Sequence, residues 1–318
     1  MERKVDLDEK TNHNNNNSQE KEDSHQQEES KKSDFRKKII VFIPIGIPGM
    51  GKTKHIKMLT ELFEQKDMSM TTISSDQIRK RIMDKKKEEN PGITHQEAFD
   101  TTGKEAAKAY LEAIENALMK SKENNQHVHA LFFDKNHPPC KLIRLIDFLH
   151  QIRFKEQFNI KIVVITPQCI QGYSSREGFY PFSLTFLVNC LQRVLARKEH
   201  ETLVGDRSKK YWVVLGFFQM YKDFKVTDET IKEIKADLLV EFPFTHEESS
   251  LEEELNEKLH ESLDKVLKTV KGFEVDMDKL LVFANEMETL NPKIKNPDED
   301  LIYKKSAEIL EKSLKLFK

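Results

Sequence analysis

The residues Gly46-Ile47-Pro48-Gly49-Met50-Gly51-Lys52-Thr53 satisfy the pattern G-x-x-x-x-G-K-[ST] without a mismatch, and no other stretch constrains the chain as tightly. The pattern also arises by chance, so its flanks have to decide. Before it, "KKIIVFIPIG" (residues 37–46) is a nearly continuous apolar run, as in a strand buried on both faces. After it, Ile56, Leu59, Leu62 and Phe63 recur at helical spacing. A buried strand, a glycine-rich turn and a helix N-terminus together make a nest of backbone N–H groups for an anion, which the helix dipole also favours. All eight loop residues are therefore expected to cradle a nucleoside triphosphate. Lys52 would reach its β- and γ-phosphates, and the Thr53 hydroxyl would ligate magnesium.

The rest of the chain repeats the strand–helix alternation. "MSMTTISS" (68–75), "HVHALFFD" (127–134), "IKIVVITP" (160–167) and "ADLLVEF" (236–242) read as further strands. Helical patterns fall at about 51–65, 76–88, 95–122, 138–154, 182–198 and 208–220. The expected fold is α/β, a parallel sheet flanked by helices, over residues 37–245. Residues 1–36 are Asn, Gln, Glu, Lys and Ser with almost nothing to bury and are expected to be a disordered tail. Past Phe244, residues 246–318 read as a helical extension, with Leu251, Leu255, Leu259, Leu263, Val266, Leu267 and Val270 on one stripe. That stripe packs on the core or receives a protein partner.

Composition excludes some functions. With a net charge of −2, any polyanion has to be held by local patches. Cys140, Cys169 and Cys190 lie far apart with no CxxC pair, which argues for a reducing compartment and against structural zinc. The N-terminus lacks an apolar leader core and no uncharged apolar run reaches 18 residues. An intracellular protein, nuclear or cytoplasmic and without a membrane span, is expected.

Three further stretches carry chemistry. In "TTISSDQIRKRIM", Asp76 falls just past the second strand on the turn into a helix. It is either the helix N-cap or a general base facing the γ-phosphate. Arg79, one turn on, would fix a phosphate of the acceptor. Residues 78–87 hold six basic side chains and one acidic one, a phosphate-backbone patch or a solvated helix face. In "LQRVLARKEHETL", Arg193 and Arg197 stand i,i+4 on a predicted helix face and suit a lid over phosphates; the bland alternative is a solvated charged face. In "HALFFDKNHPPCKL", Asp134 ends a strand and would act on magnesium through water, with Lys135, Asn136 and His137 in the loop beyond. A lone histidine before two prolines is more often structural than catalytic.

Taken together these residues resemble the polynucleotide 5′-kinase family, and most of all the kinase module of fungal-type tRNA ligases. Four stretches carry the resemblance: the phosphate loop, Asp76-x-x-Arg79 with "RIM", "FFDKNHPP", and "RVLARKEHETL" with Arg193, Arg197, His200 and Thr202. The helix "VLGFFQMYKDF" follows as it does in that family. The resemblance spans roughly residues 38–245 and implies transfer of the γ-phosphate of ATP or GTP to the 5′-hydroxyl of RNA, a tRNA half or a broken end, in tRNA splicing or RNA repair. It assigns Asp76 as general base, Arg79 to the acceptor phosphate, and Arg193 and Arg197 to the nucleotide phosphates. Lys135 stands where arginine is usual in the family's "DRNN" loop and cannot make the same planar contact. No adenylation motif and no second His-x-Thr accompany "HET" (200–202), so the chain reads as a free-standing kinase or one part of a larger system. Two other readings stay open: a small-molecule kinase with the same loop, and a non-catalytic nucleotide-binding adaptor working through its C-terminal helices.

Overall fold

The computed structural model describes residues 37–123, 128–168, 172–197, 207–243, 257–271, 274–290 and 298–318. Five parallel strands form its sheet: β1 (Lys38–Pro44), β2 (Ser69–Ser74), β3 (Val128–Asp134), β4 (Asn159–Pro167) and β7 (Leu238–Phe242), in the order β2-β3-β1-β4-β7. β1 is central and every residue from Ile39 to Pro44 is buried, which is what its unbroken apolar run requires of a strand covered on both faces. β2 forms one edge, and its Thr71 and Thr72 are exposed.

Helix α1 (Lys52–Glu64) leaves the loop after β1 and turns Leu59, Leu62 and Phe63 inward. From β2 the chain runs through α2 (Ser75–Glu89), α3 (His95–Thr101) and α4 (Gly103–Glu123) into β3, and α5 (Pro139–Glu156) links β3 to β4. The pattern over 95–122 reads as one helix, but the structure splits it at Thr102. A capping box starts α3, with the Thr94 hydroxyl accepting from Glu97 N and the Glu97 carboxylate accepting from Thr94 N. Thr102-Gly103 then breaks the run, since neither residue favours a helix interior.

Between β4 and β7 lie a hairpin, β5 (Tyr173–Ser175) with β6 (Gly178–Tyr180), and the helices α6 (Leu184–Ala196), α7 (Arg207–Gln219) and α8 (Asp228–Glu233). Pattern reading passes over the hairpin and α8, because three-residue strands and a six-residue helix span fewer than two periods and cannot establish a repeat. α6 begins at the cap Ser183, whose hydroxyl accepts from Phe186 N (3.2 Å), and is buried nearly all round. It ends at Ala196, two residues short of the expected boundary.

Among the described residues three helices follow: α9 (Glu257–Leu267), α10 (Met277–Leu290) and α11 (Glu299–Lys315). Leu259, Leu263, Val266, Leu267 and Val270 of the leucine stripe are buried; Leu251 and Leu255 lie outside the described residues. α9 packs on α10, α10 on α7, and α11 on both α1 and β7, so residues 38–318 form one compact unit. Ile302, Ile309 and Leu310 of α11 are buried, each contributing roughly 1.5–3 kcal/mol by leaving water. The phosphate-loop helix is thus backed by a C-terminal helix. The tail expected over 1–36 lies outside the described residues.

Candidate active site

The loop between β1 and α1 is anchored from below by its own apolar residues: Ile45, Ile47 and Met50 are buried. Gly49 has φ +91°, and a Cβ there would stand 2.4 Å from the Cys190 carbonyl oxygen, so the loop rests directly on the backbone of α6. Gly51, also at φ +91°, is the N-cap of α1, and no side chain caps that helix. Its first backbone N–H groups therefore remain for an anionic ligand.

A buried phenol ties the loop to its neighbour. Tyr221 Oη accepts from Gly46 N (2.8 Å) and donates to the His137 carbonyl (2.6 Å). Burial pushes the Tyr221 pKa up, so the hydroxyl stays neutral. His137 lies beside it, with Nδ1 3.2 Å from the Pro44 carbonyl and Nε2 3.4 Å from Tyr110 Oη. Burial drives its pKa down to about 3, so the ring is neutral, donating through Nδ1 and accepting through Nε2. This histidine braces β1 against the loop after β3 and is placed as a structural group.

Lys52 Nζ donates to Asn136 Oδ1 (2.8 Å). Burial lowers its pKa, and the carboxylates of Asp134 and then Asp76 pull it back up. Burial in turn raises the Asp134 pKa, against the attraction of Lys52, while the Asp76 charge raises it further. Ser74, paired with Asp134 in the β2–β3 register, is hydrogen-bonded to it. Lys52, Asp76, Asp134 and Arg197 thus share one electrostatic neighbourhood.

Ser74 also settles the alternative raised for Asp76. The N-cap of α2 is Ser74, whose hydroxyl accepts from Gln77 N at 3.5 Å, and Asp76 lies in the first turn beyond. Asp76 is therefore not the cap. Arg79 Nη2 donates to the Phe99 carbonyl (3.0 Å), and its guanidinium carbon lies 3.5 Å from the centre of the Phe99 ring. Its Nε has no hydrogen-bond partner among the described residues. One donor edge of Arg79 is held by α3 and another remains unsatisfied.

Both lid arginines lie close to the loop, by a different arrangement from the one expected. Arg193 is on α6, with Nη1 3.7 Å from where a Gly51 Cβ would be. Arg197 follows the helix end in an extended conformation, so the two do not share a helix face. They are nevertheless near enough to feel each other's charge, and burial lowers the Arg193 pKa. His200 and Thr202 lie outside the described residues. Lys135 places Nζ 4.5 Å from the Tyr110 ring centre, a cation–π contact in place of a planar fork.

The basic stretch 78–87 is largely committed to internal contacts. Arg79 holds Phe99, Lys86 donates to the Thr101 carbonyl (3.3 Å) and pairs with Glu105, Lys87 lies 3.2 Å from His95 Nδ1, and Lys85 pairs with Glu89. From the other side, Lys209 of α7 hydrogen-bonds Gln96 and lies 6.0 Å from the Phe99 ring. Helix α3 is therefore stapled between α2 and α7. Pattern reading singles out neither Phe99 nor Tyr221, because each looks like one more apolar residue in a helix.

For magnesium, the donors at hand are the exposed Thr53 hydroxyl and the carboxylate of Asp134, with Asp76 near it. Among the described residues no cluster of three or more His, Cys, Asp or Glu could form an all-protein cage. A sparse oxygen set suits magnesium, which keeps waters and takes substrate phosphate oxygens as ligands. Cys140 is exposed and Cys190 buried, both free; Cys169 is outside the described residues. No described helix is long and apolar enough to cross a membrane.

No family model matches the chain, and no curated protein matches it. Among solved structures it is similar to one described as the crystal structure of a fungal RNA kinase. Identity is 17%, coverage is 87% of this chain and 98% of that one, and the TM-score is 0.44.

Proposed function

We propose that this chain is a polynucleotide 5′-hydroxyl kinase that moves the γ-phosphate of ATP or GTP, with magnesium, onto the 5′-OH end of RNA such as a tRNA half or a broken strand. The observation that carries this reading is the pairing of Asp76 with Arg79 beside Lys52. A carboxylate relieved of capping by Ser74 stands in the field of the phosphate-loop lysine, one turn from a guanidinium that Phe99 holds. A base and an anion clamp side by side suit an acceptor that carries both a hydroxyl and a phosphate.

In the transfer, the acceptor oxygen attacks the γ-phosphorus in line, and its proton passes to an Asp76 carboxylate oxygen. The bond from the γ-phosphorus to the β,γ-bridging oxygen breaks, and the nucleoside diphosphate leaves. Lys52, Arg193 and Arg197 offset the charge that builds on the equatorial and bridging oxygens. Thr53 and Asp134 would hold magnesium, which would supply positive charge to offset the charge of the transferred phosphoryl group. Arg79 fixes the acceptor's first phosphodiester and so aims its 5′ oxygen.

The test is transfer of labelled γ-phosphate from ATP and from GTP to a short 5′-OH RNA, with matching DNA and a nucleoside in parallel. Label on RNA is expected. Nucleotide binding without label on RNA would overturn the reading, and label on the nucleoside alone would turn it into a small-molecule kinase.

A further inference from the structure

Beyond the catalytic crevice, the open edge of the sheet carries a second polar concavity. A groove of about 490 Å³ runs along β2 between α2 and α4, a size ordinary for a ligand site. Its walls face each other with one cation apiece: Arg81 from α2 and Lys120 from α4. Both are exposed, and among the described residues neither is in an ion pair. Their basic neighbours Lys85, Lys86, Lys108 and Lys122 are each matched with a glutamate. No lining residue carries a carboxylate, and Gln77, Asn116 and the exposed edge residue Thr72 add neutral donors. Two facing, unmatched cations with amides and hydroxyls between them favour an anionic, hydrogen-bonding ligand.

The groove communicates with the reaction site at one end. Ser74 lines it and is also bonded to Asp134, and Gln77 follows Asp76 in sequence. Yet it is not where the reacting nucleotide sits. Arg81 comes two residues after Arg79, about 200° round the helix, so the two arginines face opposite ways. From Asp76 to Arg81 is about 7.5 Å along the helix axis, with about 140° of a cylinder about 10 Å across to go round. A strand bound at Asp76 reaches Arg81 only several nucleotides in.

We infer that this groove binds the sugar–phosphate backbone of the acceptor strand several nucleotides downstream of its 5′ end, which rests on the kinase reading above. No Phe, Tyr or Trp lines it, and the ring of its one histidine, His129, is buried with its nitrogens against the Ser69 and Thr71 hydroxyls, so it offers no stacking platform and reads the backbone without base preference.

The test measures the full chain against the double variant Arg81→Gln/Lys120→Gln and against Asn116→Glu, which sets a negative charge between the two cations. Binding of a labelled 5′-OH dodecamer, as RNA and as DNA, is followed by anisotropy over a salt series. Phosphate transfer to a 5′-OH trinucleotide is measured alongside. The double variant is expected to bind the dodecamer about tenfold more weakly, with a salt slope shallower by about 1.4 for two lost phosphate contacts on a single strand. Asn116→Glu should weaken it as well, and kcat and KM for the trinucleotide should stay within about twofold. An equal loss for RNA and DNA identifies the shared phosphodiester as the ligand, and a loss confined to RNA brings in the 2′-hydroxyl. Unchanged dodecamer affinity and slope in both variants would overturn the groove assignment even if the trinucleotide is phosphorylated. No transfer by the unmodified chain, together with the expected loss of dodecamer binding, would sink the kinase reading and sustain the groove as a nucleic-acid site.

Discussion

At the scale of single residues, the site depends on which groups have other duties. The capping duty beside Asp76 falls to Ser74, and Asp76 is the proposed general base. Asp76→Asn should lower turnover by about a hundredfold or more while NTP affinity stays put, the signature of a missing general base. Turnover within a few-fold of the original would discard that role. Tyr221 has the opposite character, since its only polar atom holds the phosphate loop to the His137 carbonyl. Tyr221→Phe leaves a buried N–H and a buried carbonyl without that partner and should cost about 1–3 kcal/mol in urea unfolding. NTP affinity should fall with it, because Gly46 starts the loop.

Helix α3 is the element that joins the proposed acceptor clamp to α7. Phe99 receives Arg79 on its carbonyl and its ring, while Lys209 approaches from α7, the helix that follows the lid stretch. Phe99→Leu keeps the carbonyl and removes the ring. The acceptor KM is expected to rise about tenfold, matching loss of a stacked cation worth about 1–2 kcal/mol, with NTP KM unchanged. Phe99→Tyr should restore it. A parallel rise in both KM values would mean that α3 had simply come loose. The contrast with Lys135 is informative: there the ring of Tyr110 takes a lysine where the resembled family has arginine, so this loop presents a point charge and no fork.

For the whole molecule, two buried imidazoles set the acid limit. His137 is held down to about pKa 3 and His55, in tilted ring contact with Phe242, to about 4, in both cases chiefly by burial. Both lie below the unfolded value of about 6.5, so the unfolded chain binds more protons in acid. This contribution to stability is complete above about pH 6.5 and is lost as pH falls toward the folded values. By pH 5 each histidine should remove about 2 kcal/mol. Urea unfolding at neutral pH and at pH 5 checks this, and His55→Phe should recover about half of the loss. An unfolding midpoint that does not move with pH would refute it. Legibility in the sequence followed length and period. β1, β3 and β4 could be read because their apolar runs are long, and the phosphate loop because its pattern is local. What could not be read depends on contacts across the fold: Ser74 taking the cap from Asp76, Phe99 meeting Arg79 from 20 positions away, and Tyr221 reaching Gly46 from 175. The break at Ala196 was equally hidden, because Arg197 is as good a helix former as Arg193.

That break divides the labour of the two arginines. Arg193 is half-buried on a helix whose Cys190 carbonyl abuts Gly49, so its guanidinium is set in place before any nucleotide arrives. Arg197 is exposed and beyond the last helical turn, and under the proposed role it would give up side-chain freedom only when a phosphate engages it. The first charge is preorganised and the second is recruited. In the proposed reaction, affinity for the nucleotide and commitment to transfer would then be tuned by different residues of one short segment.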